Sequence, residues 1–280
     1  MKIPNTHSSI MRIAQYTLLD EVRQKSFIIM FIICALAILL VRGCSQGNFI
    51  VNGQALDADT VVRVVSKAIF HIIAAGAMLL TALLSMRVLK RDREEGMQSC
   101  ILSKPVTRGQ YVAGKIIGLW FLVMIFMFIL HGIVFIIASI NLQMVMPEYL
   151  LASLICCLNL LFVVIAVLLF SLLMSDIIAF LSVLGIGIVS FVAGGIFAMS
   201  QSPMGQAMMQ QSGAQPDISG WKIFYYLWPK LSGIQQFASS LISGERFQGF
   251  LSIYPLINVL IYILILGALL LRLFRKEDIV

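Results

Sequence analysis

Residues Gly109 to Lys115, within "TRGQYVAGKI", have the spacing G-x-x-x-x-G-K, with which a loop can cradle phosphates on backbone N–H groups and one lysine. The next residue is Ile116, where that chemistry needs a hydroxyl for magnesium, and no strand pattern precedes the stretch. Thr107 followed by Gln110 three residues on instead spells a capping box, which predicts a helix starting near Arg108 and running straight into apolar sequence. A helix bonds its own N–H groups, so this stretch is not expected to hold phosphates.

Two further groups of side chains have the chemistry of ligands. His71 and His131 each lie 15 residues from the near end of an apolar run, at Met86 and Ile116. At 1.5 Å per residue this puts both about 22 Å deep, where two imidazoles on antiparallel neighbours could share a metal or a haem. Spacing fixes depth and not direction, and neutral histidines hydrogen-bonded between helices fit the same positions. Met199, Met204, Met208 and Met209 are concentrated in "MSQSPMGQAMMQQSG"; soft thioethers select Cu(I), and the same residues also pack adaptably at a membrane edge. The five cysteines have neither metal-ligand nor redox spacing. No nucleophile is paired with a base and no acidic dyad sits in an apolar run, so covalent catalysis is not expected.

The elements that would position these residues are membrane helices. In 280 residues, 60% are hydrophobic, 12% are charged and the mean hydropathy is +0.98, more apolar surface than a soluble core of this size can hide. Six runs are long and apolar enough to span: about 27–41, 68–86, 116–140, 151–174, 177–199 and 250–273. The first is short for the roughly 20 residues a span needs. "LLVRGCSQ" around Cys44 is like a lipoprotein cleavage box, but Arg42 stands where a small residue is required, so this first helix is expected to remain. Residues 10–25 place Ile10, Met11, Ile13, Ala14, Thr17, Leu18 and Val22 on one arc, as in an amphipathic helix lying at a bilayer interface.

Charge gives the orientation. The segments before residue 27, from 87 to 115 and after 271 hold 14 of the 20 basic residues, which places both termini in the cytoplasm by the positive-inside rule. The net charge of +7 is then a topology signal, and no nucleic-acid partner is expected. The exterior segment 200–249 contains "WKIFYYLWPKLSGIQQFASSLI", too apolar for a soluble domain and rich in the aromatic residues of membrane interfaces, which predicts short helices dipping into the bilayer as a re-entrant hairpin. Asn159, Asn258 and the small-xxx-small step Ser190/Gly194 lie in spans, where they either hold helices together or line a path. No internal repeat is evident.

The segment 87–115 is the most polar cytoplasmic piece. Lys90 with Glu94 and Arg91 with Glu95 have i, i+4 spacing that extends the second span, Gly96 can supply a left-handed stop, and Pro105 marks another break. Between the breaks lies the short amphipathic "MQSCILSK". The whole string "RDREEGMQSCILSKPVTRGQYVAGKIIG" resembles the segment between the second and third spans of ABC-2 type permeases: an acidic-Gly pair (Glu95-Gly96), an apolar stretch (Ile101-Leu102), a Pro-x-x-Arg turn (Pro105, Arg108) and a Gly-Lys opening the next helix (Gly114-Lys115). "LLDEVRQKSF" is similar to that family's amphipathic approach to the first span, and the six-span order matches over essentially the whole chain. Within the family the pattern is nearest to permeases of multicopper-enzyme maturation and to sodium or drug exporters.

The resemblance implies an all-α integral membrane protein of the inner membrane, a single permease domain over 1–280. It implies a non-enzymatic exporter subunit that dimerises with itself or a related permease, binds no cofactor directly, and relies on a separate ABC ATPase that holds ATP and magnesium. Glu94, Glu95, Gly96, Ile101, Leu102, Pro105 and Arg108 are then the residues that couple to the ATPase through a cytoplasmic coupling helix. The rival expectation is a membrane redox anchor carrying haem or metal on His71 and His131.

Overall fold

The computed structural model describes residues 6–24, 27–29, 31–36, 50–51, 54–55, 58–97, 101, 103, 106–142, 147–201, 225–243 and 250–276. Among the described residues the helices are α1 (Thr6–Val22), α2 (Phe27–Leu36), α3 (Ala58–Glu94), α4 (Arg108–Leu142), α5 (Pro147–Leu173), α6 (Asp176–Gln201), α7 (Leu231–Ser243) and α8 (Phe250–Lys276). Five of them, α3, α4, α5, α6 and α8, are long and apolar enough to cross a membrane. The expected first span, 27–41, is described only as far as Leu36.

Several expected boundaries are corrected. The second helix begins at Ala58 rather than near 68, which puts Arg63 and Lys67 on α3, and it continues past 86 to Glu94, as the i, i+4 spacings predict. Its 37 residues span about 55 Å, well beyond the roughly 30 Å of bilayer hydrocarbon. Hydropathy marks the apolar middle of a helix; polar turns continue it at both ends because their backbone stays helical in water. The third helix begins at Arg108, where the capping box predicts it, eight residues before the apolar run at 116. One departure from an all-helical chain is a two-residue antiparallel pair, β1 (Ile50–Val51) with β2 (Gln54–Ala55), flanking the Asn-Gly dipeptide that favours tight hairpins.

α5 is the axis of the bundle. It contacts α3, α4, α6, α7 and α8, and Phe162 through Leu169 are buried in unbroken succession, the signature of a helix apolar on every side and surrounded by protein. By contrast α6 and α8 turn much of their apolar surface outward, as with Ile188, Val192, Leu264 and Ile265.

The N-terminal helix spans Thr6–Val22 rather than 10–25, and its buried face keeps most of the expected arc. Ile13, Ala14, Thr17 and Glu21 are buried, whereas Met11 and Val22 are exposed. This face lies on α4, and the approach is made possible by two glycines one helical turn apart. A Cβ at Gly114 would come within 2.7 Å of the Ile13 side chain, and one at Gly118 within 2.7 Å of the Ala14 carbonyl and 2.8 Å of Thr17. Thr17 tolerates burial there because its hydroxyl bonds the Ile13 carbonyl at 2.9 Å. Replacing Gly118 with Leu is therefore expected to weaken docking of α1 by about 1–3 kcal/mol, as overpacking does. Hydrogen exchange of the α1 amides in detergent measures it; protection unchanged from the wild type contradicts the close approach.

Candidate functional site

The ends of α1, α3, α4, α6 and α8 meet at one end of the bundle, around the segment that joins α3 to α4. Its two flanks are set by sequence. At the α3 end Gly96 has φ +70°, a left-handed stop that costs glycine little. At the α4 end the capping box forms as the spelling predicts: the Thr107 N–H donates to Gln110 Oε1 at 2.9 Å, and the Gln110 N–H to Thr107 Oγ1 at 3.3 Å. Gly109 to Lys115 is thus the opening of a helix, and its lysine is directed elsewhere than to a phosphate loop.

Lys115 Nζ lies 2.5 Å from Asp92 Oδ2, with the two side chains only 6% and 3% exposed. The Tyr111 hydroxyl donates to the same carboxylate oxygen. One carboxylate from α3 therefore receives a charged and a neutral donor from successive turns of α4, the kind of satisfaction a buried charge requires. The neighbouring residue, Arg91, reaches the other way: its Nη2 lies 2.5 Å from Asp20 Oδ2 and 2.6 Å from Glu21 Oε1 of α1. This corrects the expected Arg91–Glu95 pair, since the carboxylates of α1 lie closer to the guanidinium than the i, i+4 geometry allows for. Burial pushes the Glu21 carboxyl up from its ordinary value, and Arg91 opposes that shift. The expected Lys90–Glu94 pair is present at 3.9 Å, and Lys90 also faces Asp176, at the start of α6, at 3.7 Å. Arg108 Nη1 donates to the Arg275 carbonyl near the end of α8 at 3.2 Å.

The expected coupling residues are distributed around this ring. Glu94 and Glu95 are exposed, Ile101 is half-buried against the core, and Arg108 joins α4 to α8. Leu102 and Pro105 lie outside the described residues, as do Met204, Met208, Met209 and the side chain of Met199. Sequence reasoning missed Asp92, Tyr111 and Asp20; the signal was there in the i, i+4 spacing of Tyr111 and Lys115 on a helix that must start inside polar sequence.

His71 and His131 both touch the Phe70 ring, at centroid separations of 5.9 Å and 4.7 Å. Each meets a different polar neighbour: His131 Nδ1 lies 2.8 Å from Ser153 Oγ on α5, and His71 Nδ1 lies 3.5 Å from Gln235 Oε1 on α7. Among the described residues no group of three metal-ligating side chains occurs.

A second polar assembly, near the middle of α5 and α6 and in the first half of α8, surrounds the non-helical turn before α7. Asn159 Nδ2 donates to the Leu231 carbonyl at 2.9 Å, and Asn258 Oδ1 accepts the Lys230 N–H at 3.0 Å. Ser190 Oγ accepts the Ser232 N–H at 3.3 Å, while Ser232 Oγ donates to the Ser190 carbonyl at 2.8 Å. Gly194 leaves the space this needs, since a Cβ there would lie 2.3 Å from Ser232 Oγ. Tyr254 donates to the Tyr226 carbonyl at 2.7 Å, and Tyr262 to that of Leu227. The polar residues noted in the spans thus serve helix packing of one particular kind: they grip a single turn.

A family model described as "ABC-2 family transporter protein" matches residues 11–279. No curated protein matches the chain. The family match takes in every helix that meets around the α3–α4 segment and both polar assemblies, and five described helices can cross a membrane; the chain belongs to the ABC-2 family of transporter proteins and is a multi-pass membrane permease subunit of an ABC transporter.

Proposed function

We infer that this permease is an exporter subunit of the inner membrane, with both termini cytoplasmic, driven by a separate ATPase that docks on the segment between α3 and α4. The observation that carries the reading is the arrangement around that segment. Its flanks are joined by the buried Asp92–Lys115 pair, and neighbouring ties lead to α1, α6 and α8. A push on the segment is thereby delivered to several helices together, as rigid-body transitions require. The exposed Glu94, Glu95 and Met97 offer a partner both charge and apolar surface.

ATP and magnesium belong to the ATPase in this reading, and the permease supplies the contact and the path. The concentration of basic residues on the segments that meet here supports a cytoplasmic location. The outward apolar faces of α6 and α8 support contact with lipid and with a second permease, either another copy or a related chain. The turn before α7, gripped near the middle of α5 and α6 and in the first half of α8, supports a re-entrant segment within the exterior connection.

Two experiments test the reading. The double substitution Glu95→Lys with Leu102→Asp is expected to leave membrane insertion intact and to abolish co-purification of the ATPase; full co-purification sinks the docking assignment. Asp92→Asn or Lys115→Met alone is expected to cost about 3–5 kcal/mol, because each leaves a buried charge without its partner, and the double variant to regain most of that loss. Thermal unfolding in detergent measures the cycle, and additive losses would show that the two residues do not act as a pair.

A further inference from the structure

Lys230 is a charge that the described residues leave unexplained. It is 5% exposed, and its ammonium is buried with no hydrogen-bond partner among the described residues. The nitrogen lies over the Tyr225 ring and within 5.6 Å of the centre of Tyr226. Aromatic faces attract a cation, but more weakly than the water or carboxylate that burial has removed. Among the described residues no carboxylate forms an ion pair with it. On α5 and α6 the acidic residues are Glu148 and Asp176, 11 and 10 residues from Asn159 and Ile186, hence about 16 Å and 15 Å along the helix axes; α7 and α8 carry none.

The position of this charge is tightly determined. Asn258 holds the Lys230 N–H, and the Lys230 carbonyl accepts the Ile234 N–H at 3.1 Å, which makes it the residue that opens α7. The positive end of the α7 dipole is therefore added to the ammonium. The turn reaches the outside of the bundle through Tyr226 and Leu227, of which Leu227 is 71% exposed. Asn159 and Ser190, which bond this turn, lie 12 and 14 residues into helices of 27 and 26 residues, a depth at which a spanning helix meets hydrocarbon. A ligand arriving by this route must itself be at home in lipid.

We propose that Lys230, framed by Tyr225 and Tyr226 at the start of α7, is a binding site for the anionic head, carboxylate or phosphate, of an amphiphile that approaches across Tyr226 and Leu227. The anion completes the ion pair that the described residues leave open, and the apolar body remains against the exposed faces of the helices. This deepens the transporter reading, on which it rests, by naming a class of substrate. No bond is made or broken.

The test uses the full chain in phosphatidylcholine nanodiscs with no ATPase present, probed with a fluorescent long-chain carboxylate and the alcohol of the same chain length. The wild type is expected to bind the carboxylate about tenfold more tightly than the alcohol, the worth of one charge-assisted hydrogen bond. Lys230→Met should abolish that preference, and Lys230→Arg should keep it. Equal binding of the two probes by the wild type, or a preference retained in Lys230→Met, overturns the proposal. Should Lys230→Met fail to fold, the wild-type comparison and Lys230→Arg still decide. Doping the discs with phosphatidylglycerol separates the sources: competition assigns the anion site to a bilayer lipid, and its absence assigns it to a free amphiphile. Since no ATPase takes part, failure here leaves ATPase docking untouched, and failure of docking leaves this binding measurement valid.

Discussion

A backbone N–H or carbonyl left bare in hydrocarbon costs several kcal/mol, and the architecture of this permease follows from that penalty. Helices satisfy it by themselves, and so the long elements read clearly as spans. The turn before α7 cannot satisfy it alone. Side chains from three spans supply the missing partners: Asn159, Ser190, Asn258 and two tyrosines bond backbone groups between Tyr226 and Ser232. A non-helical stretch among helices is possible here only because its neighbours carry polar groups at matching depths.

The opposite problem arises at the end where α3, α4 and α1 meet. There water is close and the backbone is easily satisfied, but buried charges must be matched. Asp92 is shared by Tyr111 and Lys115, while Arg91, the adjacent residue, serves the carboxylates of α1. Two consecutive residues of α3 thus fasten two different helices. Breaking a pair of this kind is expensive because the remaining charge stays buried. The connection between α3 and α4 is consequently held at its roots whatever its own conformation.

Legibility from sequence followed the range of the interactions. Local signals were readable: the capping box at Thr107 and Gln110, the left-handed stop at Gly96, and the Lys90–Glu94 pair all depend on residues within four positions of each other. Arg91 shows where such reasoning fails. Its i, i+4 partner Glu95 was the natural choice, yet the guanidinium joins residues 70 and 71 positions away. Periodicity found Ile13, Ala14 and Thr17 on the buried face of α1 but missed Glu21 and misplaced Met11 and Val22, because the space left by Gly114 and Gly118 on α4, and not hydrophobicity alone, decides which side docks. The polar residues of the spans were visible as unusual, but their common target could be seen only once the turn at Lys230 was placed. Helix ends were misjudged where polar sequence continued an apolar helix, as at Ala58.

The seat of α1 also has a temporal side. Its contacts are with Arg91, Gly114 and Gly118, residues that leave the ribosome long after α1 itself, and the chain between must be closed into a loop before any of them forms. α1 is therefore made well before the residues that seat it. Until α4 has been inserted, Ile13 and Ala14 have only the membrane surface and water for company, so the seated α1 is a mark that synthesis has passed α4.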